Sequence, residues 1–266
     1  MAKKSNSGEV QTLEDFTHLV SSYSSEYNEP IWFRGVGNIK FPLIPSLFRK
    51  NGIDNEESIR EIEVRIMSIF KERALPHLKF PCANDWEWLF LMQHHGVPTR
   101  LLDWTENPFI ALYFALSSAC KIDDAERGDA GVWLLRPLAW NAKYSMGTGN
   151  RRRIISVIET ESVAGYTPMD ARSISPVAIS AYHNSSRIIA QRGSFILFGT
   201  QVTPLDTLCA DSTDADKKTL VKAVIPKESI HSLLSQLHNI GYTESAIFPD
   251  LDGLARDIRR IHSFGA

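Results

Sequence analysis

The fifteen residues from His94 to Pro108, HHGVPTRLLDWTENP, constrain this chain more than any other stretch. They gather two His, an Arg, an Asp, a Trp and two Pro between two segments whose apolar spacing reads as buried helices. Polar groups beside a core must each find a partner or destabilise the fold. A polar loop here is therefore costly to build, and a binding or reaction site is the simplest reason to keep it. Upstream, Trp32-Phe33-Arg34-Gly35 sets a second oddity, a guanidinium inside an apolar strand pattern.

Around these two elements the pattern alternates helix and strand. Leu13, Phe16, Val20 and Tyr23 recur at helical spacing, in a helix that Pro30 stops. Ile31 to Phe33 reads as a short strand, and Gly35, Gly37, Pro42 and Pro45 turn residues 36–46 into a long loop. Helices are expected over about 55–74, around Trp86 to Gln93 with Gly96 at the C-cap, and from Pro108 with Asn107 as cap. Strands are expected over Gly131–Pro137, Ile154–Ile158, Phe195–Phe198 and Thr219–Ile225, followed by helices after Pro226 and around Leu251–Ile261. Residues 140–190 are the least regular and are a candidate lid. With helices early and late and most strands in the second half, the expected fold is α+β. Residues 1–10 read as a disordered N-terminus and 11–266 as a single domain.

Composition narrows the functional classes. A chain of 266 residues with 43% hydrophobic and 23% charged residues can bury a substantial core, and no run approaches the roughly 18 apolar residues of a membrane span. MAKKSNSGEV has no apolar stretch behind its lysines, so no secretory leader is read there. Cys82, Cys120 and Cys209 have no zinc-like spacing and suit reduced thiols, so the expected location is cytoplasmic and no metal is expected. The net charge of -2 gives no general attraction to nucleic acid or acidic membranes. Arg151-Arg152-Arg153 is the local exception, either a solvated face or a phosphate-contacting patch.

The candidate residues divide by chemistry. Arg34 offers a permanently charged fork suited to phosphate or carboxylate, and Gly35 would let a ligand approach the backbone. The competing reading is a structural clip between Arg34 and Asp103. His94 and His95 are poor as a metal pair, because adjacent side chains rarely face one way; one caps the helix and the other meets the groove. Arg100 and Asp103 can pair locally, and Trp104 can wall a flat ring. The alternative is a rigid corner with its polar groups satisfied. Gln191 in QRGSF can orient an acceptor through its amide, although a turn with a solvated Gln explains it as well. A nuclease using His94 or His95 as acid–base, with the arginine run on phosphates, is a further reading.

Trp32-Phe33-Arg34-Gly35, HHGVPTRLLDWTENP running into ALYFA, QRGSF and FPDLDGLA (Phe248 to Ala255) together resemble the FRG domain family, named for its Phe/Tyr-Arg-Gly motif. The likeness extends over nearly the whole chain beyond about residue 11. It implies a bacterial or phage-associated protein with a toxin or antiphage defence role. More distantly, the family is similar to the ADP-ribosyltransferase superfamily, which implies a split mixed or antiparallel sheet with flanking helices and NAD as substrate. Arg34 would match the strand-borne NAD contact, Thr99 with the TRLLDW segment the second strand, and Gln191 the late acceptor-handling position.

On that resemblance Arg34, Asp103 and Gln191 are the implied catalytic residues. Phe33, Arg34, Gly35, His95, Thr99, Arg100 and Trp104 are the implied NAD contacts. The implied partners are NAD, a macromolecular acceptor that is protein or RNA, and a neutralising antitoxin, with no membrane. The departures are the lack of a Ser-Thr-Ser triplet and Gln191 where the mono-transferases usually carry Glu. A Gln cannot bear the charge that stabilises an oxocarbenium-like centre. That role would fall to Asp103, Glu159, Glu161 or the acceptor. Otherwise the protein is a non-catalytic module binding a nucleotide or a partner.

Overall fold

Four early helices begin where the sequence supplies a cap. Helix α1 (Leu13–Tyr27) opens with a reciprocal box between Thr12 and Asp15, α2 (Glu56–Ala74) on Asn55 and α3 (Asp85–His94) on Asn84. Helix α4 (Pro108–Ala119) opens on Asn107, whose side chain accepts from the Phe109 and Ile110 N–H groups, with Pro108 in the first turn. The end of α1 differs from expectation. Asn28 stops it in the left-handed conformation at φ 46, before Pro30 is reached. The computed structural model describes residues 9–49, 55–78, 81–144, 152–158, 163, 165–167, 172, 174–180, 190–210, 218–262 and 264.

Among the described residues, seven strands form one mixed sheet: β1 (Trp32–Val36), β2 (Leu101–Thr105), β3 (Ala130–Leu135), β4 (Ile155–Ser156), β5 (Val177–Ser180), β6 (Gly193–Leu197) and β7 (Leu220–Ile225). Their order is β4-β5-β6-β2-β1-β3-β7, antiparallel throughout apart from the parallel β4–β5 edge. The remaining helices are α5 (Pro137–Tyr144), α6 (Leu205–Ala210), α7 (Ile230–Asn239), α8 (Glu244–Ile247) and α9 (Leu251–Ile261). The molecule is thus mixed α/β, one sheet with helices on both faces.

Alternation along the strands sorts the core. Trp32, Val36, Leu102, Trp104 and Trp133 point to one face, beneath Leu47, Phe48, Ile59 and Trp140. The other face carries two separate cores. One joins Phe33, Val132 and Leu134 to α4 and α7; the other joins Leu101, Phe195 and Leu197 to Trp86, Leu89 and Phe90 of α3. A groove is left between α3 and α4, above the middle strands.

Two elements differ from the reading of the sequence. The first strand runs on through Arg34 and Gly35 to Val36, because each residue from 32 to 36 pairs with β3, Arg34 opposite Trp133. The stretch after Pro98 is not a continuous loop, since Leu101–Thr105 forms β2 and is paired along its length with β6. At the N-terminus, residues 1–8 lie outside the described set, whereas Val10 is fully buried and its N–H donates to the Val224 carbonyl at 2.8 Å. The strand expected over Ile154–Ile158 is the shorter β4. No helix among the described residues is long and apolar enough to cross a membrane.

Candidate functional site

The site begins where one strand pairing lapses. β1 and β2 share a single register pair, Phe33 with Thr105, whereas β2 and β6 share five. Arg34 bridges the divergence. Its Nη1 donates to the Asp103 carbonyl at 2.5 Å and lies 4.0 Å from Asp103 Oδ2. Its Nε is buried with no partner among the described residues. Burial pulls the Arg34 pKa down to about 10, with Asp103 opposing the fall and the like charge of Arg49 adding to it. A guanidinium held this way, short of hydrogen bonds and beside a second cation, is stabilised by an arriving anion.

Asp103 is positioned by a short chain of hydrogen bonds. Gln93 on α3 donates through Nε2 to Asp103 Oδ2 at 2.7 Å, and its Oε1 accepts from the Thr99 hydroxyl. Thr99 Oγ1 in turn accepts the Leu101 N–H at 3.1 Å. Thr99 fixes the flip of the Gln93 amide, and Gln93 fixes the carboxylate. Because β2 residues alternate, Asp103 points to the grooved face and its side chain stays 58% exposed.

Arg34, Gln93 and Asp103 border a cavity of about 740 Å³ in the groove between α3 and α4. Of the residues singled out from sequence, Phe33, Arg34, Gly35, His94, His95, Asp103, Trp104 and Gln191 border it, and Thr99 and Arg100 do not. Their surroundings differ from expectation in several cases. Arg100 is fully buried, with Nε on Glu63 Oε1 at 2.8 Å, Nη2 on the Tyr166 carbonyl at 2.8 Å and Nη1 on the Phe198 carbonyl. A guanidinium so engaged ties α2 to the sheet and has no reach to a phosphate, nor does it pair with Asp103. The Trp104 ring packs among Trp32 and Leu102 on the opposite face at 3% exposure, so it is no stacking wall. Phe33 belongs to the α4 core.

Gly35 answers to α4 rather than to a ligand. A Cβ there would stand 2.0 Å from the Ala111 carbonyl oxygen and 2.5 Å from the Ala115 nitrogen. The Arg-Gly pair and the ALYFA helix are therefore two sides of one close contact. His95 caps α3 with its backbone N–H, which donates to the Leu91 and Gln93 carbonyls, and Gly96 follows at φ 73. The His94 and His95 rings meet edge to face, 4.8 Å between centroids, at the exposed rim. Gln191 is committed to structure: Nε2 donates to the Ile247 carbonyl at 3.1 Å, while its backbone carbonyl accepts from Thr105 Oγ1 at 2.6 Å.

Arg49, Gln93 and Phe114 border the cavity without having been singled out as site residues. Gln93 had registered only as a helix marker. Arg49 closes a 3-10 turn (Ser46–Arg49), and its Nε and Nη2 donate to the Ile44 carbonyl at 3.3 and 3.0 Å. Nothing local in the sequence marks it, since its proximity to Arg34 is made by the fold.

Glu159, Glu161 and Arg151 lie outside the described residues, as do parts of 140–190. Arg152 is exposed and pairs with Glu29 at 3.2 Å, so at least that part of the arginine run is partly neutralised. No group of three His, Cys, Asp or Glu side chains placed to hold a metal ion occurs among the described residues. Residues 29–124 match the family model of the FRG domain, a span running from β1 through α4. No curated protein and no solved structure matches the chain.

Proposed function

With an FRG domain over residues 29–124 as the premise, we propose that this chain is an NAD-dependent ADP-ribosyltransferase acting on a macromolecular acceptor. The observation that carries the reading is the convergence of two guanidinium groups, Arg34 and Arg49, and one oriented carboxylate, Asp103, on a single cavity of about 740 Å³. That volume lies in the ~300–1,000 Å³ range of small-molecule and cofactor sites. Asp250 and Asp252 border the cavity as well, so the positive charge offered to a diphosphate is local to the neighbouring Arg34 and Arg49. The lapse between β1 and β2 supports the reading, since a split sheet would offer an opening there.

The reaction balances with the residues present. The bond from ribose C1′ to the nicotinamide nitrogen breaks, and its electron pair leaves with the ring, which becomes neutral. The ribosyl cation is captured by a nucleophile of the acceptor, whose proton goes to Asp103. Arg34 and Arg49 hold the diphosphate, the Thr99–Gln93 chain keeps the carboxylate aimed, and Phe114 offers an aromatic edge to the leaving ring. Positioning of aligned partners then supplies much of the rate.

A second reading has its own observation. The Gln191 amide is tied to the Ile247 carbonyl and carries no charge, and Asp103 is more than half exposed, so water screens it. Those facts favour a non-catalytic module that binds a nucleotide or a partner. Incubating the purified chain with adenylate-labelled NAD and cell extract separates the two. Label in protein or RNA that disappears with Arg34→Ala and Asp103→Asn supports the transferase, and names the acceptor class. Saturable NAD binding without label or nicotinamide release supports the module. RNA shortening without NAD would point to a nuclease and refute both. In cells we propose a cytoplasmic toxin or antiphage effector, with growth arrest relieved by Arg34→Ala and a neutralising antitoxin as a possible partner.

A further inference from the structure

Two buried donors beside the cavity have no acceptor. Arg34 Nε and the indole Nε1 of Trp104 are buried and without a partner among the described residues, and both residues border the cavity. Native interiors seldom leave such groups unpaired, because each gives up the hydrogen bond it had with water. The two also lie together. Phe33 is level with Thr105, so the next position along each antiparallel strand brings Arg34 level with Trp104, on the same side of the sheet. Past that one pair, no register pairing joins β1 to β2.

The 3-10 turn brings two more donors to the same cavity. Arg49 commits Nε and Nη2 to the Ile44 carbonyl, which leaves Nη1. Ser46 Oγ accepts the Thr99 N–H at 3.4 Å, and its own proton is uncommitted among the described residues. The carboxylates that border the cavity come from elsewhere, Asp103 on the grooved face and Asp250 and Asp252 at the start of α9.

We infer that Arg34, Trp104 and Ser46, with Arg49, form an oxyanion pocket for a phosphoryl group, which the Trp104 indole binds through its N–H and not through its ring. This pocket deepens the proposed function and rests on its diphosphate reading. Guanidinium and indole N–H groups donate only, so an amine or another donor would find nothing to bond there. A phosphoryl group brings acceptor oxygens to both, and its charge makes each bond roughly twice as strong as a neutral one. Trp32 and Trp133 also carry buried indole N–H groups without a partner among the described residues, Trp133 directly opposite Arg34. Neither borders the cavity, so the pocket leaves them out.

Nuclear magnetic resonance of the full chain with isotope-labelled tryptophan tests the pocket, since each of the six indole N–H groups gives its own signal. Trp104→Phe identifies the signal of Trp104. Inorganic pyrophosphate in chloride-free buffer should move that proton downfield, as a new hydrogen bond does, and move those of Trp32 and Trp133 less. NAD should do the same. Benzothienylalanine at position 104 keeps the ring shape but replaces the N–H with sulfur. It should weaken pyrophosphate about tenfold, the loss of one bond to a charged acceptor, with an unchanged melting curve. A Trp104 signal unmoved by excess pyrophosphate, or an undiminished affinity of the sulfur analogue, overturns the inference whether or not NAD is consumed. Sodium chloride moving the signal as far at equal concentration would also overturn it, in favour of a halide site. Pyrophosphate binding at Trp104 without NAD binding upholds the pocket and removes the NAD reading instead.

Discussion

Replacing Gly35 with alanine should cost this protein more stability than any surface change, because the clash is with backbone. Ordinary contact at a Cβ begins near 3.4 Å, and the added atom would stand 2.0 Å from the Ala111 carbonyl oxygen, so α4 must withdraw by about 1.4 Å. Ala111, Leu112, Ala115, Leu116 and Ala119 on that helix are fully buried. A gap of ~0.5–1 Å already forfeits a quarter to a half of a dispersion contact, so the retreat loosens the whole interface. The expected loss is about 3 kcal/mol, the upper end for overpacking, which lowers the melting temperature by roughly 6–12 °C in a domain of this size. Urea unfolding followed by tryptophan fluorescence measures it. Adding Ala115→Gly should not rescue the variant, because the second obstruction is a nitrogen of the main chain. A loss below about 1 kcal/mol, or rescue by Ala115→Gly, would refute the packing argument. Retained stability with lost nucleotide binding would return Gly35 to the role of admitting a ligand.

Arg100→Met strands Glu63, already pushed towards its protonated form by burial, in the interior without its partner. It should lose ~3–5 kcal/mol, and Glu63→Leu added to it should recover much of that; equal single and double losses in urea would sink the pair. NAD binding at low temperature should survive Arg100→Met yet fall with Arg49→Ala, measured by calorimetry. If the two variants behave alike, the division between structural and cavity arginines is wrong. Burial works to raise the Asp257 pKa, but hydrogen bonds from Ser245 and Arg260 outweigh it and hold the carboxyl below its ordinary value. The unfolded state then binds the proton first, so this stabilisation is present above about pH 4 and lost as pH falls through the folded value. Asp257→Asn should flatten that part of an acid-unfolding curve. An unchanged acid limb would mean that Asp257 does not titrate with folding.

The NAD-consuming reading depends on the contrast between two arginines that look alike in sequence. Arg34 has its Nε unpaired among the described residues and a second cation nearby, whereas Arg100 is engaged on three of its nitrogens. The resemblance implied both as NAD contacts, while the residues alone left Arg34 open to a clip with Asp103 and Arg100 to a local pair with it. The difference is one of place: Arg34 reaches into the gap where β1 and β2 part, whereas Arg100 lies on the closed face, where Glu63 and the Tyr166 and Phe198 carbonyls engage it.

Local information was enough for the helices and for the gathering of motifs. Asn107-Pro108, Asn84 and Thr12 with Asp15 are caps whose chemistry acts within three residues, so helix starts were legible without a partner. The FRG motif and the His94–Pro108 segment could likewise be read as belonging to one place. What the chain could not disclose is anything made by residues far apart meeting across the sheet. Gly35 is explained only by Ala111, Arg100 only by Glu63 and Phe198, and Arg49 only by Arg34. The outward face of α9 belongs to the same class. Its periodicity announced an amphipathic helix, but which face the fold keeps was decided by Glu244, Ser245 and Phe248, whose polar contacts and close approach claim the other side.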